Sequence, residues 1–346
     1  MNNTNNQSSP SKNETDSIIA LFSSGQLQAA LDDALKLTKD FPNESLVHNI
    51  TGACYAGLGQ LAFAVSSYEK AIAIKSDYAK AHYNLGGAYH ELRQLDDSIE
   101  SYKHSIVIEP NYAEAHNNLG NVLRESGQLN DSIKSYEAAL SLNPDYVEAL
   151  YSLSFVYQRL EQFDNMRDCL EKVLTIKPDF AEAHSNLGIA FKGLGQLDNA
   201  ALSYQKAIAV KPNYVDAYNN LGNVFMALGR QDDAVQSYQK AIVIKPDYPT
   251  LYNNLGIAFK ELNQLDDAVE CYQKSLIINP DFSQSHNYLG LALYELGQLH
   301  SAVESYEKAI AIDSNYAEAF NNLGIVFKDL GQINSAINAY EKALSI

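Results

Sequence analysis

The sequence predicts an all-α solenoid built from antiparallel helix pairs, and three observations lead there. The first is a fixed period: AEAHNNLGNVLRESGQLNDSIKSYEAALSLNPDY, residues 113–146, returns in similar form every 34 residues, as in AKAHYNLGGAYHELRQLDDSIESYKHSIVIEPNY from Ala79 and AEAHSNLGIAFKGLGQLDNAALSYQKAIAVKPNY from Ala181. The second is that small and apolar residues recur at helical spacing twice within each unit. The third is the punctuation between them, a glycine after the first apolar stripe and a proline after the second. A unit of this size cannot bury its own apolar face, so it has to stack on its neighbours.

With Ala113 as position 1, units begin at Ser45, Ala79, Ala113, Val147, Ala181, Val215, Pro249, Ser283 and Ala317, with no insertion between any two. The predicted organisation is a disordered polar tail over residues 1–13, an eroded unit over 14–44 and nine units over 45–346, the last one shortened. The eroded unit fits the same frame from Ser11 and keeps Gly25, Ala30, Ala34 and Pro42. In each unit the first helix carries the stripe His116, Leu119, Gly120 and Leu123, and the second carries Leu129, Ser132, Tyr136, Ala139 and Leu140. Glycine at position 15 (Gly59, Gly127, Gly195, Gly229, Gly297, Gly331) suits a left-handed helix end.

Asn111 with Glu114, Asp145 with Glu148, Asp179 with Glu182 and Asn315 with Glu318 have the spacing of capping boxes. Acids such as Asp96, Asp97, Asp232, Asp233, Asp266 and Asp267 open the second helices, and Lys75, Lys177, Lys211 and Lys245 close them, both opposing the helix dipole. Small residues at positions 8, 20 and 27 allow close approach, and aromatics at 11, 24 and 34 fill the space left; Gly188, Ala200 and Ala207 with Phe191, Tyr204 and Tyr214 are one set. The unit from Val147 departs, with Leu150 for His, Ser154 for Gly, Glu161 for Gly, Met166 for Ala and Val173 for Ala, the residues most other units carry at these positions. Larger groups at close-contact positions predict a local irregularity there.

A formal charge of −17 argues against nucleic acid as partner, since phosphate neutralisation needs clustered Lys and Arg. No apolar run reaches membrane-spanning length, and the opening MNNTNNQSSPSKNETDS lacks a basic segment followed by an apolar one. The expectation is a cytoplasmic protein that does not engage membrane. Cys54, Cys169 and Cys271 lie in separate units without a CxxC, and read as small helix residues in a reducing compartment.

The pattern Leu-Gly-x-x-aromatic followed by Ala, aromatic, Ala and Pro at these spacings resembles the tetratricopeptide repeat over residues 14–346. The departures are His or Tyr at position 4 in most units and no Trp anywhere. The resemblance implies a right-handed superhelical solenoid whose first helices line a concave groove through positions 2, 5, 6, 9, 12 and 13. Position 6 is Asn84, Asn118, Asn186, Asn220, Asn254 and Asn322, interrupted by Ser152 and Tyr288. Position 5 adds Asn49, Asn117, Asn219, Asn253, Asn287 and Asn321, and position 9 adds Asn121 and Asn223. An Asn side chain offers a carbonyl acceptor and two amide donors, the complement of a peptide backbone. A row of them, one step per repeat, suits an extended polypeptide largely irrespective of its sequence.

This ladder, with AEAHNNLG and AEAHSNLG, is similar to the repeat arm of O-GlcNAc transferases, which implies peptide binding by the six position-6 asparagines. The expected function is therefore a non-catalytic interaction scaffold for extended protein or peptide ligands. The alternative is the substrate-recognition arm of an O-GlcNAc transferase-like enzyme whose catalytic domain lies outside this chain. A carboxylate clamp fits less well, because position 5 is never Lys and position 2 is Lys only at Lys80. His48, His82, His116, His184 and His286, one per unit at position 4, read as packing residues, and neither metal nor cofactor is expected. Lys192, Lys260 and Lys328 at position 12 read as solvated charges or contacts to ligand acids. No nucleophile elbow, phosphate loop or dinucleotide fingerprint is found, so no enzymatic activity is expected. The last unit stops inside its second helix, which predicts either a longer protein or self-association through that end.

Overall fold

The computed structural model describes residues 9–346. Residues 1–8 of the expected polar tail lie outside the described residues, and the first helix begins at Lys12, inside the stretch assigned to the tail. Twenty α-helices and no strand occupy the described residues. The chain divides into two compact units, one ending at Ile176 and one running Lys177–Ile346.

The first unit holds five pairs: α1 (Lys12–Ser23) and α2 (Leu27–Asp40), α3 (Ser45–Gly57) and α4 (Leu61–Ile74), α5 (Ala79–Glu91) and α6 (Leu95–Ile108), α7 (Ala113–Glu125) and α8 (Leu129–Leu142), α9 (Val147–Arg159) and α10 (Phe163–Ile176). The second holds α11 (Ala181–Gly193) and α12 (Leu197–Val210), α13 (Val215–Ala227) and α14 (Gln231–Ile244), α15 (Pro249–Glu261) and α16 (Leu265–Ile278), α17 (Ser283–Glu295) and α18 (Leu299–Ile312), α19 (Ala317–Asp329) and α20 (Ile333–Ser345).

Each first helix ends in the same way. Gly127 has φ of 82°, Gly127 N–H donates to Arg124 O at 3.2 Å and Gln128 N–H to Leu123 O at 2.8 Å, the paired bonds of a Schellman ending. Where glycine is missing the backbone conformation persists: Arg93, Glu161 and Asn263 have φ of 62°, 55° and 59°. The repeat therefore imposes the left-handed turn even on residues with a Cβ, at a cost of about 1 kcal/mol.

The helix N-termini correct the capping expectation. The cap residue of α7, α9, α11 and α19 is Tyr112, Tyr146, Phe180 or Tyr316, none with a side-chain cap bond, so Glu114, Glu148, Glu182 and Glu318 fall one place too early to close a box. The acids still lie in the first turn, where they face the positive end of the helix. The one capping box among the described residues is Ser11 with Glu14 at the start of α1. The position-31 lysines lie over the cap rings instead, Lys75 at 5.5 Å from Tyr78, Lys211 at 4.7 Å from Tyr214 and Lys245 at 4.6 Å from Tyr248.

The core of every regular pair is a glycine facing a tyrosine. A Cβ placed on Gly52, Gly120, Gly188, Gly222, Gly256, Gly290 or Gly324 would come within 2.5–2.8 Å of the ring of the tyrosine sixteen residues on. Those rings are buried: Tyr136, Tyr204, Tyr238, Tyr272 and Tyr306 are almost wholly excluded from solvent. Where position 20 is serine, its hydroxyl is satisfied by the glycine's own carbonyl, Ser98 to Gly86 at 2.7 Å and Ser132 to Gly120 at 2.8 Å.

In the divergent repeat both partners change. Ser154 replaces the glycine and Leu170 the tyrosine, both fully buried, with the Ser154 hydroxyl donating to Tyr151 O at 2.6 Å. Helix lengths are kept, but α9 approaches α10, and α8 approaches α9, over less of their length than the equivalent helices from α3 onward that share a unit. The boundary between the two compact units falls at the end of this repeat.

Two substitutions test the scheme by urea denaturation. In an open helix Gly→Ala gains about 1 kcal/mol, but Gly222→Ala is expected to lose about 1–2 kcal/mol because the buried Tyr238 ring, 2.5 Å from the new methyl, has nowhere to go. Glu161→Gly, at an exposed left-handed position, is expected to gain about 1 kcal/mol.

Candidate functional site

The position-6 asparagines are half-buried on the first helices, and most are tied to the preceding repeat. Nδ2 of Asn84 donates to Asn49 Oδ1 at 2.9 Å, Asn254 to Asn219 at 2.8 Å and Asn322 to Asn287 at 3.1 Å. Asn118 donates to the Tyr83 hydroxyl at 3.0 Å, Tyr being the position-5 residue of that repeat, and accepts from Asn117 at 3.2 Å. Asn220 has no side-chain partner among the described residues, and Asn186 is engaged. The row thus joins the repeats to one another as well as lining their first helices. In Asn84, Asn254 and Asn322 the bond uses one amide hydrogen of two and leaves the carbonyl oxygen unspent.

The position-5 asparagines play the structural part. Asn49, Asn117, Asn253 and Asn287 are buried; Asn253 accepts from Ser285 at 2.8 Å, and Asn287 also donates to Glu318 at 3.1 Å. Position 9 is likewise committed, since Asn121 and Asn223 accept from the Tyr136 and Tyr238 hydroxyls at 2.7 and 2.8 Å. Open space does adjoin the row. A cavity of about 460 Å³ in the first unit is lined by Ile19, Phe22, Asn49, Ile50, Lys80 and Asn84, among others.

A second inter-repeat row, which sequence reasoning did not find, runs from position 12 to position 13 of the next repeat. His90 meets Glu125 at 3.1 Å, Lys260 meets Glu295 at 3.6 Å, and the Tyr294 hydroxyl donates to Asp329 at 2.7 Å. Lys192 and Lys328 are exposed. The signal was present in the sequence as a donor and an acid thirty-five residues apart.

The histidines of position 4 have a shared task. The Nε2 atoms of His48, His116, His184 and His286 lie 2.8–3.0 Å from the carbonyls of Pro42, Pro110, Pro178 and Pro280, and that of His82 lies 3.1 Å from Ser76 O. A carbonyl only accepts, so Nε2 carries the proton and donates. Each ring thereby ties a first helix to the turn before it. Burial pushes His82 and His286 below the ordinary histidine range, and the His104 ring, 5.4 Å away, lowers His82 further.

The three thiols are buried and unpaired. Burial pushes Cys54 and Cys169 up to about 11 and Cys271 to about 12. Among the described residues no group of His, Cys, Asp and Glu could hold a metal ion. No helix among them is long and apolar enough to cross a membrane.

Stacked helix pairs locked by a glycine against an aromatic ring, with polar rows on the first helices, define a helical-repeat protein of the tetratricopeptide class. The chain belongs to that family. The family profile described as the cilia and flagella-associated protein 70 C-terminal domain, a tetratricopeptide profile, matches residues 99–321, and others described as TPR or tetratricopeptide repeat match 52–93, 79–112 and 305–338. No curated protein matches the chain. Similar solved structures include MamA, 28% identical over 50% of this chain and 94% of that one with a TM-score of 0.47. They also include residues 41 to the end of MamA from Desulfovibrio magneticus RS-1, 22% identical over 49% and 95% with a TM-score of 0.47. A third is YrrB, described as a TPR protein with an unusual peptide-binding site, 22% identical over 54% and 96% with a TM-score of 0.49.

Because His82 and His286 hold their protons less readily folded than unfolded, the unfolded chain binds more protons between the folded and unfolded values, and stability rises with pH through that window. Their contribution is complete above about pH 6.5 and is lost as pH falls through the folded values. The urea midpoint is expected to drop over this range, and His286→Gln to flatten part of the drop. The thiols are expected to resist Ellman's reagent at pH 8 in the folded chain and to react at once in urea.

Proposed function

We propose that this chain is a non-catalytic scaffold that binds extended polypeptide along its first helices through the asparagines of position 6. The observation that carries this reading is Asn84: it borders an open cavity and spends only one of its hydrogen-bonding groups on the neighbouring repeat. Asn254 and Asn322 keep the same groups unspent, and Asn220 keeps all of them. A peptide main chain offers donors and acceptors in alternation, which such amides match without regard to side chains. The acidity of the chain favours a protein ligand over nucleic acid. Three free, buried cysteines fit a reducing, cytoplasmic setting. Ile333, Ile337 and Leu344, exposed on α20, support association of that end with a second copy.

A second reading is favoured by the ladder itself together with AEAHNNLG: the arm that selects substrates for an O-GlcNAc transferase-like enzyme. The two readings part on whether a glycosyltransferase domain is encoded after residue 346.

The test is a peptide-array screen with the chain and with the Asn84→Ala, Asn220→Ala, Asn254→Ala triple variant. The variant is expected to lose about tenfold or more in peptide affinity, each amide contact contributing about 0.5–1.5 kcal/mol. Thermal unfolding of the triple variant is expected to drop, because Asn84 and Asn254 lose their bonds to Asn49 and Asn219. Asn220→Ala, which breaks no side-chain bond among the described residues, is therefore run beside it and is expected to weaken binding at unchanged stability. Unchanged peptide binding would remove the ladder from the function.

A further inference from the structure

The row from position 12 to position 13 pairs a donor with an acid at three junctions: His90 with Glu125, Lys260 with Glu295 and Tyr294 with Asp329. Between α7 and α9 both places are cationic. The residues there are Arg124 and Arg159, two cations where His90 and Lys260 elsewhere face an acid. The chain has five arginines. Arg93, Arg167 and Arg230 each hold a carboxylate at 2.7–2.9 Å. Among the described residues no ion pair includes Arg124 or Arg159.

The adjoining acid does not fill the gap, because Glu125 is held by His90 at 3.1 Å and Arg93 at 2.7 Å. Arg159 reaches across to α7, its Nη1 donating to Arg124 O at 3.3 Å, which places the second cation at the end of the helix that carries the first. The Arg124 guanidinium lies beside the Tyr136 hydroxyl, and its Nε is buried without a hydrogen-bond partner. A guanidinium offers five N–H groups in a fork that matches a carboxylate or phosphate. Two cations on successive repeats, joined through the Arg124 carbonyl and without a carboxylate of their own, attract an anion locally.

We propose that Arg124 and Arg159 form an anion station that receives a carboxylate or phosphate carried by the extended peptide. The proposal rests on the peptide-groove reading above and adds to it a fixed point. The amide row accepts any main chain, whereas this station selects the register at which an acidic group is presented.

Thermal unfolding of the full chain in inorganic phosphate, against sodium chloride of equal ionic strength, reads the station without any peptide. Wild type is expected to gain several degrees. Arg159→Glu, which gives Arg124 an acid across the junction as Lys260 has in Glu295, is expected to gain none. Equal gains in the two proteins overturn the proposal. Fluorescence anisotropy with short labelled peptides then distinguishes the source: a neutral amidated peptide against twins carrying a central aspartate, a phosphoserine or a free C-terminal carboxylate. One or more of the charged twins should bind about tenfold tighter than the neutral one, and lose that preference in Arg159→Glu while neutral binding stays the same. A preference that survives the substitution, or equal binding of all four peptides, overturns the assignment. Phosphate stabilisation confined to wild type with no peptide bound refutes the peptide groove and upholds the anion site.

Discussion

Everything in this fold depends on how closely the two helices of a pair can approach, and a glycine facing a tyrosine ring sets that distance. With 2.5–2.8 Å between a hypothetical methyl and the ring in most pairs, no other residue fits opposite the tyrosine. The alanines and serines at positions 20 and 27 follow from the same closeness, and where they are serine they donate to backbone carbonyls, as Ser105 does to Ala79 and Ser275 to Pro249. Short pairs of this kind present one apolar side to the next pair, which is how a chain without a single large core buries its leucines and tyrosines.

The first helices carry two duties with one set of residues. Their polar rows join several repeats to the next within each unit, through amides at positions 5 and 6 and through donor–acid pairs at 12 and 13, and the amide row borders the open cavity near Asn84. Asparagine suits both duties because it has more hydrogen-bonding groups than a single neighbour can use. At position 5 Asn49, Asn117, Asn253 and Asn287 are buried, whereas the position-6 asparagines are half-buried, so depth on the helix rather than residue type separates the two duties there.

Much of this was legible in the sequence because periodicity reports packing directly. The glycine at position 15 announced the left-handed turn, and the structure extends it to Arg93, Glu161 and Asn263, where residue type gave no hint but register did. The capping boxes misled by one residue: Asn111 and Glu114 have the right spacing, but the helix starts after Tyr112, whose ring is needed for packing. The bonds between repeats were hidden because they join residues thirty-five apart, a separation that a reading confined to one unit does not inspect. Leu170 escaped notice for a related reason, since its importance lies only in what Ser154 has become.

That paired change bears on how the repeat can evolve or be redesigned. Bringing residue 154 alone back to glycine would leave a void against a leucine too short to fill it, and bringing residue 170 alone back to tyrosine would drive a ring into the serine. Each step toward the family average is uphill unless its companion moves with it. The repeat from Val147 is therefore isolated from its neighbours by a valley no single substitution crosses, and averaging over repeats column by column would prescribe changes there that only make sense two at a time.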